Sequence, residues 1–158
     1  MKIILTVMVA ALVATISTSA YAFPSIVGSL GTSTTATDII LFKCSTQAGI
    51  TVATTTVRDY TSITATPPNI SVQIGNANST MTCTGATGWT ALKTTTGEGT
   101  WSPRTTYMPV SQISPANYYC IKVTKATAST NRDDYQLNHQ CEITPGAMVS
   151  IHLKHPVS

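Results

Sequence analysis

The residues of this chain with the clearest chemical potential are four cysteines, Cys44, Cys83, Cys120 and Cys141. They are widely spaced and form no CxxC, so neither a zinc knot nor a redox motif is indicated. Such spacing in an exported chain reads as two structural disulfides. Of the three histidines, His152 and His155 sit three apart, a separation that sends side chains to opposite faces of a strand and so does not favour a shared metal. His139 stands alone. The carboxylates are Asp38, Asp59, Glu98, Asp133, Asp134 and Glu142. They offer no EF-hand spacing and no evident pair for glycoside hydrolysis, and Asp133-Asp134 reads as turn chemistry. No G-x-S-x-G elbow nominates a serine nucleophile. The expectation is a chain that is not an enzyme, with no metal and no cofactor.

Trp89, Trp101, Tyr107 and Tyr118 form the remaining group of interest. Exposed aromatics offer flat apolar area with a polar edge, which suits sugars and protein partners. Set against this is the plainer reading, which the sequence favours, that both tryptophans fill the core or cover its loops. Charged residues make up only 9% of the chain and the formal net charge is +3, with no basic stripe. That is too weak to imply nucleic acid, and no nucleic-acid partner is expected. Asn69-Ile70-Ser71 and Asn78-Ser79-Thr80 fit the N-glycosylation sequon, a pattern that arises easily by chance in a chain rich in Ser and Thr.

The elements that must position these residues begin with a leader. Lys2 precedes a mostly apolar run over 3–16, and Ser19-Ala20-Tyr21-Ala22 supplies small residues two apart. This predicts a signal peptide over 1–22, cleaved before Phe23, and a secreted or periplasmic protein with no membrane segment after cleavage. The segment 23–37 is rich in Gly, Ser and Thr and is expected to be loose, a candidate donor strand if the chain polymerises. A single β-domain is expected over 38–158.

About a fifth of the chain is threonine, which favours strands and keeps an exposed strand face wet without charge. Short strands are predicted at 38–44, 50–58, 70–74, from 81, at 118–125, 134–142 and 148–153, with a bulge near Thr54 to Thr56. Residues 85–115 carry four glycines, three prolines and both tryptophans, and predict short edge strands and long loops. The segments 118–125 and 134–142 look like a β-hairpin. No stretch keeps a helical apolar stripe, so the fold class is all-β, a single antiparallel β-sandwich. Strand parity then prunes the three possible cysteine pairings. Cys44 shares a face with Ile40 and Phe42, and Cys141 with Tyr135, Leu137 and His139, whereas Cys120 lies opposite Tyr119 and Ile121. Cys44–Cys141 and Cys83–Cys120 follow, the second requiring a loop that covers the sheet or a strand edge.

Four short strings, Asp38-Ile39-Ile40-Leu41-Phe42, Ala48-Gly49-Ile50-Thr51-Val52, Asn117-Tyr118-Tyr119-Cys120-Ile121-Lys122-Val123 and Tyr135-Gln136-Leu137, occur in an order that resembles the bacterial pre-peptidase C-terminal domain. The resemblance spans residues 38 to 141 and implies a jelly-roll-like sandwich of the kind appended to secreted enzymes. Four cysteines depart from that pattern, and no attached enzyme is expected. The expected function is a non-catalytic exported module binding an extracellular glycan or surface protein. A self-associating fibre, pilus or surface-layer subunit is the alternative, and an inhibitor of a secreted enzyme a further one.

Overall fold

The computed structural model describes residues 25–44, 50–61, 68–110, 117–143 and 148–149. The leader, His152 and His155 lie outside them. The described chain is all-β. Its strands are β1 (Ile26–Leu30), β2 (Thr37–Lys43), β3 (Val52–Thr61), β4 (Ile70–Asn76), β5 (Lys93–Thr94), β6 (Met108–Pro109), β7 (Tyr118–Lys125), β8 (Asp133–Glu142) and β9 (Met148–Val149). Two antiparallel sheets form. Sheet A runs β1-β8-β3-β6, with β9 added to the end of β8, and sheet B runs β2-β7-β4-β5. Within them β1 pairs β8, β2 pairs β7, β3 pairs β6 and β4 pairs β5. This is the order of an eight-stranded jelly roll, a long antiparallel ribbon rolled into two sheets.

Alternation places the core between the sheets. From sheet A, Ala53 and Val57 on β3 and Leu137 and Cys141 on β8 point inward. From sheet B, Ile40 and Phe42, Val72 and Ile74, and Tyr119, Ile121 and Val123 meet them. Phe42 stacks on Tyr119 with ring centroids 5.6 Å apart. Across the same core the Tyr135 hydroxyl donates to Asp38 Oδ2 at 2.9 Å, tying β8 to β2. Gly28 makes room for that ring, because a Cβ there would lie 2.3 Å from Tyr135.

Both disulfides form as parity demands. Cys44–Cys141, with an S–S distance of 2.07 Å, pins sheet B to sheet A through the core. Cys83–Cys120 joins a long loop to the outer face of β7. Asn78 shapes that loop. Its Oδ1 accepts from the Thr80 N–H, the Thr80 hydroxyl and the Thr82 N–H, while Nδ2 donates to Thr82 Oγ1 and the Thr84 carbonyl. The side-chain amide of that sequon is therefore committed to the fold.

Threonine has a structural use here beyond strand propensity. The stretches beside β3 and β4 are too irregular to supply full ladders. Hydroxyls fill the gaps: Thr105 Oγ1 accepts from the Thr55 N–H, Ser102 Oγ from Val57, Thr95 Oγ1 from Ile70 and Thr90 Oγ1 from Ile74, at 3.0–3.1 Å. Each satisfies a strand N–H that would otherwise be unpaired.

Several sequence expectations are corrected. The segment 23–37 is not loose throughout: Ile26–Leu30 is an ordered strand paired with β8 of its own chain, and β2 begins at Thr37. The β7 and β8 segments are not a hairpin. They lie in different sheets, and the turn residues between them carry the chain across the sandwich. Cys120 and Cys141 are kept apart for that reason as well as by parity. No strand starts at Met81; the residues there form turns, with Met81 at φ 60°. The β3 bulge falls between Asp59 and Thr61, and Thr54 to Thr56 pair in regular register.

Candidate ligand-binding face

Even-numbered positions of β3 and β8 point to the outside of sheet A. On β8 these are Asp134, Gln136, Asn138, Gln140 and Glu142, and on β3 they are Val52, Thr54, Thr56, Arg58 and Tyr60. The result is a row of hydroxyls and amides. Alongside β3 runs the irregular chain from Gly99 to Val110, whose Gly99, Ser102 and Thr105 N–H groups donate to the Asp59, Val57 and Thr55 carbonyls at 2.9, 2.7 and 2.9 Å. That chain carries Trp101, Arg104 and Tyr107 onto the same face.

Arg104 bridges the row. Its Nη1 donates to Glu142 Oε1 at 2.9 Å and to the Tyr107 hydroxyl at 3.1 Å, and its Nη2 donates to Gln140 Oε1 at 2.9 Å. Glu142 is wholly buried beneath the guanidinium. The fork therefore stands in a fixed position. Next to it Thr54, Thr55, Thr56, Arg104, Asn138 and Gln140 line a cavity of about 80 Å³. That volume takes a few waters or one substituent of a sugar ring, not a whole ring. The buried Asn138 Oδ1 has no hydrogen-bond partner. On the far side from Arg104, Trp101 bridges to Arg58 and is 42% exposed. Arg58 is fixed by donation from Nε to the Gly99 carbonyl at 2.9 Å. Two residues along β3 separate Arg58 from Thr56, about 7 Å.

The four aromatics singled out in the sequence thus divide. Trp101 and Tyr107 share the outer face of sheet A. Trp89 and Tyr118 belong to sheet B. Trp89 lies on Gly75, where a Cβ would fall 2.7 Å from the indole, and Lys122 Nζ stands 4.6 Å from the ring centroid. Its Nε1 donates to the Ala86 carbonyl at 3.0 Å, so its polar edge is occupied by its own loop. Trp89 is a cover for the sheet. Tyr118 is half-buried, with Lys43 Nζ 5.2 Å above its ring. Sequence reasoning does not single out Arg104, Asn138 or Gln140. The available signal is the polar parity of Gln136, Asn138, Gln140 and Glu142 in β8; nothing marks Arg104.

Two carboxylates and one imidazole are among the ionisable groups enclosed between the sheets. Asp59 and Asp133 face each other from neighbouring strands, both buried, and none of their four carboxyl oxygens accepts from a protein donor. Two carboxylates only accept, so the contact becomes a hydrogen bond only when one is protonated. Burial, then the charge of Asp59, raises Asp133 to about 7. Asp59 is raised by burial first and by Glu98 second. His139 packs on Phe42 at 4.0 Å with neither ring nitrogen partnered, and burial lowers it to about 4. Elsewhere, Lys125 Nζ is held by the carbonyls of Gly31, Ser33, Ser129 and Asn131 at 2.6–3.0 Å, which closes the sandwich mouth. Among the described residues no group of three metal-ligating side chains is gathered, and no helix is long and apolar enough to cross a membrane.

A scan against protein-family models finds no match, and a search of curated proteins finds none either.

Proposed function

We propose that this protein is an exported, non-catalytic jelly-roll module that binds carbohydrate on the outer face of sheet A. The observation that carries the reading is the polar face on which half-buried Thr56, Asn138 and Arg104, backed by buried Thr54 and Gln140, stand beside exposed Trp101. Sugar hydroxyls need neutral donors and acceptors in fixed positions and a flat apolar surface for the ring, and this face offers both. The small cavity would take a ring substituent while the ring rests towards Trp101. Export is supported by the leader-like start and by two disulfides, which persist in oxidising compartments.

The test is a glycan array probed with oxidised mature protein, followed by titration with the best neutral oligosaccharide. Trp101→Ala should weaken binding about tenfold or more. Tyr118→Ala, on the other sheet, should leave it unchanged. No bound glycan, or equal effects of the two changes, would refute the reading.

A further inference from the structure

A sheet ends where a strand has one neighbour, and proteins usually blunt such ends. Here β5, β6 and β9 are two residues each and β1 is five, interrupted by Gly28. The exception is β2, seven residues reading TDIILFK, which closes sheet B beside β7. Its ladder direction can be read off. The Cys44 N–H donates to the Asn117 carbonyl at 2.9 Å, and on the other flank of β7 the Tyr118 carbonyl accepts from Ala77. Cys44, Phe42, Ile40 and Asp38 therefore turn their backbone groups towards β7, and Thr37, Ile39, Leu41 and Lys43 turn theirs outward. Among the described residues no backbone hydrogen bond to those outward groups is found outside the β2–β7 ladder.

We propose that β2 pairs antiparallel with β2 of a second copy of this chain, joining two B sheets into one across a twofold axis. The strand is complementary to itself. Antiparallel partners about such an axis must match in parity so that both cores stay on one side. Centring the axis on Ile40 sets Thr37 against Lys43 of the second copy and Ile39 against Leu41. That register uses the whole of β2 and satisfies all four outward N–H groups and all four carbonyls of each strand. It also joins Ile39, 46% exposed, to Leu41 of the other copy on the outer face. The two Lys43 residues fall at opposite ends, and each folds back over Tyr118 instead of crossing the edge. No like charges stand opposite each other. The contact is independent of the sugar reading, because it lies on the other sheet, and its twofold closure gives dimers and not fibres.

Sedimentation over a concentration series, with amide hydrogen exchange on the same sample, tests it. A monomer–dimer equilibrium is expected, with Ile39, Leu41 and Lys43 amides protected as dimer fills. Ile39→Pro removes an outward N–H without touching the β7 ladder, so it should weaken association about thirtyfold, the loss of two hydrogen bonds per dimer. Should that variant not fold, Leu41→Lys serves in its place and should also dissociate the pair. A monomer at every concentration, or a dimer whose Ile39, Leu41 and Lys43 amides exchange freely, overturns the proposal.

Discussion

Replacing Asp133 by Asn should stabilise the protein at neutral pH and leave it unchanged in acid. Asp133 is buried against Asp59 and takes up a proton with a value raised from 3.8 to about 7. The folded state therefore prefers the protonated form. The corresponding stability is fully present below about pH 3.8 and is lost as pH rises through about 7. At about 1.4 kcal/mol per pH unit, the loss amounts to roughly 4 kcal/mol. His139 works in the other sense. Its folded value falls from 6.5 to about 4, so its contribution is complete above pH 6.5 and declines as pH falls towards 4. Between about pH 4 and 6.5 the contributions of Asp133 and His139 oppose each other. Asp133→Asn removes one of them, since an amide stays neutral and can donate to Asp59. Relative to wild type, the variant's stability should rise with pH over that interval and exceed it by several kcal/mol at about pH 8. Urea unfolding with the disulfides intact, at about pH 4 and about pH 8, measures both. An Asp133→Asn protein that is less stable than wild type at the higher pH, or that differs equally at both, would refute the argument.

Other outcomes follow from the same geometry. Replacing Cys44 and Cys141 together by Ala opens a loop of 97 residues and should cost up to about 5 kcal/mol, against about 4 for the 37-residue Cys83–Cys120 loop, by denaturant unfolding. Thr95→Val keeps the shape but removes the acceptor of the buried Ile70 N–H, and should cost about 1–3 kcal/mol. Gly75→Ala should displace Trp89 from the sheet, changing tryptophan fluorescence while leaving both disulfides formed on a non-reducing mass map.

What the sequence reveals about this fold depends on how local each feature is. Parity along DIILFKC and DYQLNHQCE separates inward from outward side chains, so the cysteine pairing is legible without knowing which strands are neighbours. Connectivity is not. The residues linking Lys125 to Asp133 have turn chemistry that serves a hairpin and a crossing between sheets equally well, and only tertiary packing chooses. β1 escapes notice because Ile26, Val27 and Leu30 are diluted by Gly28 and Ser29, and its stability comes from β8 and not from its own propensity. Met81 to Cys83 looks like a strand by residue type, but Asn78 binds its backbone into turns. At the site, Trp101 is visible as a residue type and Arg104 is not. Its role depends on reaching Gln140 and Glu142, more than thirty positions away. Asp133 looks like an ordinary turn acid, because nothing local reveals that Asp59 faces it.

The most direct test of the account is an amide chemical-shift titration of the oxidised protein with a neutral oligosaccharide. Binding on the outer face of sheet A predicts shifts gathered at Thr54, Thr56, Trp101, Arg104, Asn138 and Gln140, with the outer face of sheet B silent. Shifts centred on Trp89 and Tyr118, or none with any sugar tried, would contradict it.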